Sequence, residues 1–253
     1  MRAPVRARAE VMVEEASRSL TMLIGLAAGV FSILYFLSDL IELAQGGFST
    51  AQLALTYAAE AAIPLFVIGL YAMQRPRIGR LGLVGAIGYA YSFVFFTGTV
   101  LFALVNGTKD WGALSDQLGA WVIVHGLLMV LAGLAFGLAV IRAGVFPRWT
   151  GVALMAGVVL VAVSSGLPDI VQAAAAGVRD LAFAGMGASL LFARRTADVA
   201  MLPRLNLPQV GTSPRTGSTP PQLQEATMSR LGLGFGVAPL MSSKYFPTSH
   251  QAG

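Results

Sequence analysis

The chain has 253 residues, of which 56% are hydrophobic and only 11% charged, with a formal net charge of +5 at pH 7. A soluble domain carries about 25% charged residues. This balance, with a mean hydropathy of +0.72, therefore excludes an ordinary soluble globule and points to a multi-span membrane protein.

Residues 1–19 are polar and basic, with Arg2, Arg6, Arg8 and Arg18 beside Glu10, Glu14 and Glu15. They read as a solvated lead-in; a short amphipathic helix over residues 9–19, lying on the membrane, is the other reading. The apolar run that follows is too long for a signal h-region and lacks a small-x-small cleavage site, so it reads as a signal anchor. It opens a first span over residues 20–44. A loop around Gly46 and Gly47 leads to a second span, 51–73. A loop carrying Arg75, Arg77 and Arg80 precedes the third span, 81–105. A longer polar loop with Lys109 and Asp110 then leads to the fourth span, 119–141. Arg142, Pro147 and Arg148 turn the chain into the fifth span, 151–167, which Pro168 and Asp169 end. Residues 181–193 alone are too short for a sixth span, since crossing needs about 20 residues. Extending it back to about residue 174 gives the length and takes Arg179 and Asp180 into its outer third.

The fold class expected is all-α: a six-helix transmembrane bundle over residues 20–195, with 196–253 as a disordered cytoplasmic tail. Pro208, Pro214, Pro220 and Pro221, among serines, threonines and glycines, cannot build a core there. Lys and Arg counts set the orientation. The N-terminal segment and the loops after the second, fourth and sixth spans hold nearly all of them; the opposite loops hold Lys109 and at most Arg179. Both termini are therefore expected in the cytoplasm. Trp111 and Trp121 then flank the outer interface and Trp149 the inner one, as an aromatic belt would. Basic residues that flank spans in this way, without striping one face, argue against a nucleic-acid surface. The lack of cysteine excludes disulfides, thiolate metal sites and a cysteine nucleophile.

Lipid gives helices no hydrophobic drive to pair, so small residues must let them approach closely. Gly25 and Gly29, Gly133 and Gly137, the run Gly79, Gly82, Gly85 and Gly88, and the pair Gly185 and Gly187 are expected to mark such seams.

Glu60 is the residue that the spans must accommodate. It lies about 14 Å into the second span at the helical rise, where a charged side chain costs roughly 2.5–3.5 kcal/mol. Pro64, the expected helix kink, lacks an N–H and leaves the Glu60 carbonyl without its usual donor. The carboxyl can be neutral, pair with a cation or face water, and Thr56 and Tyr57 are within hydrogen-bonding range one turn earlier. Asp39 and Glu42 share a face of the first span with Ser32 and Tyr35. His125 lies near the outer end of the fourth span. Arg179 is the natural partner for Asp39, Glu60 or Asp169, because a buried arginine needs carboxylates. Asp39, Glu42, Glu60, His125, Asp169, Arg179 and Asp180 all fall in the outer half on this topology. They form either a polar pocket open to the outside, taking a cation, a proton or a small polar ligand, or a salt-bridge network that fixes helix order.

No P-loop, HExxH or nucleophile elbow is present, and two histidines without cysteine give no metal spacing. No catalytic residue, metal or cofactor is expected, and the bilayer is the expected partner. Two functional readings follow. One is a structural or regulatory membrane component; the other is a small permease or ion- or proton-coupled transporter built around Glu60. The loop motifs Gly69-Leu70-Tyr71-Ala72-Met73-Gln74, Ile78-Gly79-Arg80-Leu81-Gly82 and the run from Arg142 to Gly151 resemble uncharacterised multi-pass membrane proteins of bacteria with about six helices. The resemblance covers residues 20–195 loosely. It implies a bacterial cytoplasmic membrane and carries over no residue role.

Overall fold

The structure, a computed structural model, describes residues 3–201. Among the described residues there are seven α-helices: α1 (Ala3–Gln45), α2 (Thr50–Met73), α3 (Gly79–Asn106), α4 (Trp111–Leu118), α5 (Ala120–Ala143), α6 (Arg148–Val163) and α7 (Asp169–Met201). Five of them, α1, α2, α3, α5 and α7, contain stretches long and apolar enough to cross a membrane. With 16 residues, α6 is shorter, about 24 Å at the helical rise. The tail expected from residue 196 continues α7 as far as Met201, and its remainder lies outside the described residues.

Short loops make successive helices antiparallel neighbours. Each of α1, α2, α3, α5, α6 and α7 packs on the next, and α7 returns to pack on α1. The result is a closed ring of six helices, with α4 a short bracket beside α5. Inside the ring Phe66, Tyr89, Phe93, Phe136, Phe183 and Met186 are fully buried. The rings of Phe66 and Tyr89 both meet Phe183, with centroids 5.4 and 5.6 Å apart, so α2 and α3 touch α7 through aromatics.

Several of the expected glycines lie where helices meet closely, although Gly79 has nothing within 4 Å of an added Cβ. A Cβ on Gly85 would stand 2.5 Å from the Phe136 nitrogen, joining α3 to α5. One on Gly137 would stand 2.8 Å from the Gly151 carbonyl, joining α5 to α6, and one on Gly187 would stand 2.5 Å from the Gly25 carbonyl. That last contact closes the ring between α7 and α1. Gly29, by contrast, has nothing within 4 Å of such an added carbon.

Several sequence boundaries are corrected. Residues 3–19 are helical and run on into the first span as one helix, α1, with an exposed Arg18–Glu14 pair at 2.6 Å, four residues apart, along it. The fifth helix begins at Arg148 and stops at Val163, not at residue 167; Gly166, with φ of 86°, turns the chain before Pro168. The sixth long helix starts at Asp169, five residues before the position expected. The Pro168 carbonyl accepts from the Val171 N–H at 2.8 Å, and the Asp169 carboxylate suits a helix N-terminus. The polar loop before the fourth span contains α4, capped by the Asp110 side chain accepting from the Ala113 N–H at 2.8 Å. This corner is fastened to the first loop by the Phe48 N–H donating to the Lys109 carbonyl at 2.7 Å. Beneath it Leu53, Val100, Ala103 and Leu114 form a second small apolar cluster.

Candidate functional site

Tyr35 of α1, Glu60 of α2, Tyr89 of α3, and Arg179 and Asp180 of α7 meet inside the ring. The Tyr35 hydroxyl donates to Glu60 Oε1 at 2.7 Å. Arg179 Nε donates to Asp180 Oδ1 at 2.9 Å. The guanidinium carbon of Arg179 lies 4.7 Å from the centre of the Tyr35 ring and 5.7 Å from that of Phe93. Such cation–π contacts contribute about 0.5–2 kcal/mol each, more when desolvated. Tyr35 therefore joins the two ion-bearing halves, its hydroxyl on Glu60 and its face under Arg179.

The backbone explains why these groups converge. Gly157 of α6 lies so close to α7 that a Cβ there would be 2.5 Å from the Arg179 nitrogen and 2.6 Å from its Cα. This approach holds the Arg179 stem inside the ring. On α2, Pro64 leaves the Glu60 carbonyl without its helical donor, yet the helix is unbroken through it. Glu60, Arg179 and Asp180 are each only 4% exposed. Glu60 Oε2, Asp180 Oδ2, Arg179 Nη2 and the Tyr89 hydroxyl find no hydrogen-bond partner among the described residues. Asp39, one turn beyond Tyr35 on α1, is half-buried and within electrostatic reach of Arg179, Asp180, Glu42 and Glu60.

A second polar group lies further along the α1–α2 contact. Gln52 Nε2 donates to Thr56 Oγ1 at 2.9 Å and to Ser38 Oγ and Glu42 Oε2, each at 3.3 Å. Ser38 and Thr56 are also hydrogen-bonded to each other. Glu42, at the outer edge of this group, senses the charges of Asp169 and Asp110.

The sequence-derived residues thus separate. Glu60, Arg179 and Asp180 come together with Asp39 at their edge. Glu42 belongs to the Gln52 group, and Asp169 is exposed at the start of α7. His125 stands apart on α5: its ring stacks on Phe95 at 3.7 Å, and its Nδ1 lies 2.9 Å from the Trp121 carbonyl. Two expected contacts are corrected. Thr56 bonds Gln52 and Ser38, and Tyr57 is 37% exposed, so Tyr35 is the hydrogen-bond donor to Glu60. The direct ion partner of Arg179 is its chain neighbour Asp180. Sequence reasoning passed over Tyr89, Gln52 and Ser38. Gln52 carried a readable signal, a polar amide inside an apolar span. Tyr89 and Ser38 carried none that separates them from other small-polar or aromatic span residues.

Among the described residues, no group of three or more His, Asp or Glu is placed to hold a metal ion. Comparison with protein-family models, with curated proteins and with solved structures gives no match.

Proposed function

We propose that the chain is a six-span integral protein of a bacterial cytoplasmic membrane, with both termini inside. Its Tyr35–Glu60–Arg179–Asp180 centre takes up a proton or a small monovalent cation, as the working part of an ion- or proton-coupled permease. The carrying observation is charge balance inside the ring. Two buried carboxyl groups, Glu60 and Asp180, face one guanidinium, and Asp39 adds a further carboxyl at the edge. A buried charge without a counter-charge is costly. One additional positive charge would neutralise the buried trio, and Glu60 Oε2, Asp180 Oδ2 and the Tyr89 hydroxyl, each buried without a hydrogen-bond partner among the described residues, are the oxygens we assign to receive it. The span count rests on α6 joining the five longer helices in the ring. The orientation rests on the arginine-rich loops.

The test is thermal unfolding of the purified protein in nanodiscs, wild type against Glu60→Gln, across pH and a panel of alkali cations. A ligand at a hundredfold excess over its dissociation constant stabilises the folded state by about 2.7 kcal/mol. A pH- or cation-dependent rise in the wild-type midpoint, lost in Glu60→Gln, is expected. Flat and identical responses would leave the centre a packed structural network.

A further inference from the structure

A cavity of about 210 Å³ opens between the ends of α2 and α3, lined by Tyr71, Arg75, Pro76, Gly79, Arg80 and Leu83. It shares no residue with the polar centre. We propose that it binds the phosphate headgroup of an anionic phospholipid. Its volume is several times the roughly 30 Å³ of a water molecule, enough for a phosphate group. Two arginines, Arg75 and Arg80, are among its lining residues, and the planar donor fork of arginine matches phosphate oxygens. Arg77 sits in the same loop and adds to the positive field.

The loop is held in place before any ligand arrives. Gln74 is fully buried and donates through Nε2 to the Leu70 carbonyl at 3.0 Å. Ile78 is also buried, and its N–H donates to the Gln74 carbonyl at 3.2 Å. Gly79, with φ of 64°, makes the tight entry into α3 that a side chain would resist. Arg75 and Arg80 therefore project from a pinned frame, which lowers the ordering cost of binding.

A lipid fits better than free phosphate because the cavity is not polar throughout. Tyr71 and Leu83 form part of its wall, and Leu83 continues along α3 into the exposed residues Ile87 and Tyr91. These lie one turn apart on one face, a track for acyl chains below a headgroup held by the arginines. Clusters of arginine at the cytoplasmic end of membrane helices attract anionic lipids. This assignment rests on α2 and α3 being spans, not on the Glu60 centre.

The experiment is native mass spectrometry of the full chain released from nanodiscs of phosphatidylglycerol mixed with phosphatidylcholine. Thermal unfolding in phosphatidylcholine alone serves as the folding control. Wild type is expected to retain phosphatidylglycerol about tenfold over phosphatidylcholine, and Arg75→Gln and Arg80→Gln each to lose about fivefold. Arg148→Gln, on the other basic loop, should retain lipid as wild type does, as should Glu60→Gln. Equal retention of the two lipids would overturn the proposal. So would an Arg148→Gln loss as large as that of Arg75→Gln, which marks a general charge effect. Competition by inorganic phosphate at the same concentration as the lipid would make the ligand a free anion and overturn the lipid assignment.

Discussion

Gly157→Ala tests whether the α6–α7 approach positions the polar centre. The added Cβ would lie 2.5 Å from the Arg179 nitrogen, where ordinary contact begins near 3.4 Å. The helices must therefore part by about 0.9 Å, the difference of those two distances, because the obstructing atoms are backbone and cannot rotate away. A gap of that size forfeits roughly a quarter to a half of the dispersion energy of each contact across it. Overpacking of this kind costs about 1–3 kcal/mol, while alanine in place of glycine returns about 1 kcal/mol of helix propensity. The net is a loss of up to about 2 kcal/mol, expected as a lower unfolding midpoint in nanodiscs. Gly29→Ala is the matched control, since nothing lies within 4 Å of its added carbon. It should be neutral or slightly stabilising. Moving α7 outward also draws the Arg179 guanidinium off the Tyr35 ring, so Gly157→Ala should weaken any pH or cation response of the Glu60 centre. A Gly157→Ala protein as stable as wild type, or a Gly29→Ala protein equally damaged, would refute this reasoning.

Two further outcomes are expected. Tyr35→Phe removes the 2.7 Å bond to Glu60 but keeps the ring under Arg179. It should cost about 1 kcal/mol, and Tyr35→Leu should cost more because the cation–π contact goes too; chemical unfolding of the two variants side by side measures the difference. The native chain has no cysteine, so single-cysteine variants report topology cleanly. Lys109→Cys and Leu167→Cys should react with an impermeant maleimide on intact cells, whereas Arg77→Cys and Arg148→Cys should react only after permeabilisation; the reverse pattern would invert the topology.

The long helices were legible because a span announces itself along one dimension. Runs such as residues 81–105 need only their own apolarity, and the glycines and prolines around Gly79, Gly144 and Pro147 mark their ends. The start of α7 was not legible. Its first turns are a polar, alanine-rich segment leading to Arg179 and Asp180, so the hydropathy that defines the other helices fails there. Burial of that pair comes from ring closure, a tertiary fact: Gly25 meets Gly187 and Gly157 meets Arg179 across sequence separations that no local pattern encodes. Glu60 was readable as a costly acid in an apolar run. Its donor, Tyr35, was readable only as part of a stripe on another helix.

The same geometry makes α7 the element on which site and fold depend together. It closes the ring against α1 and carries both ions of the Arg179–Asp180 pair. Glu60 and Tyr35 stand on α2 and α1, so the centre bridges the seam between α7 and its neighbours. On the proposed reading, a proton or cation bound between Glu60 and Asp180 strengthens that bridge, and its loss leaves the two carboxylates sharing the single Arg179 guanidinium, with one negative charge uncompensated. The seam combines small residues, Gly25, Ala28 and Gly187, with Leu191 over Gly25 and the Phe36 ring over Gly177. On that reading, occupancy of the centre and the hold on α7 should rise and fall together. A ligand-dependent change in cross-linking yield between cysteines introduced on the exposed faces of α1 and α7, absent in Glu60→Gln, would demonstrate that coupling. A yield that ignores pH and cations would make α7 a fixed wall and the centre a permanent bolt.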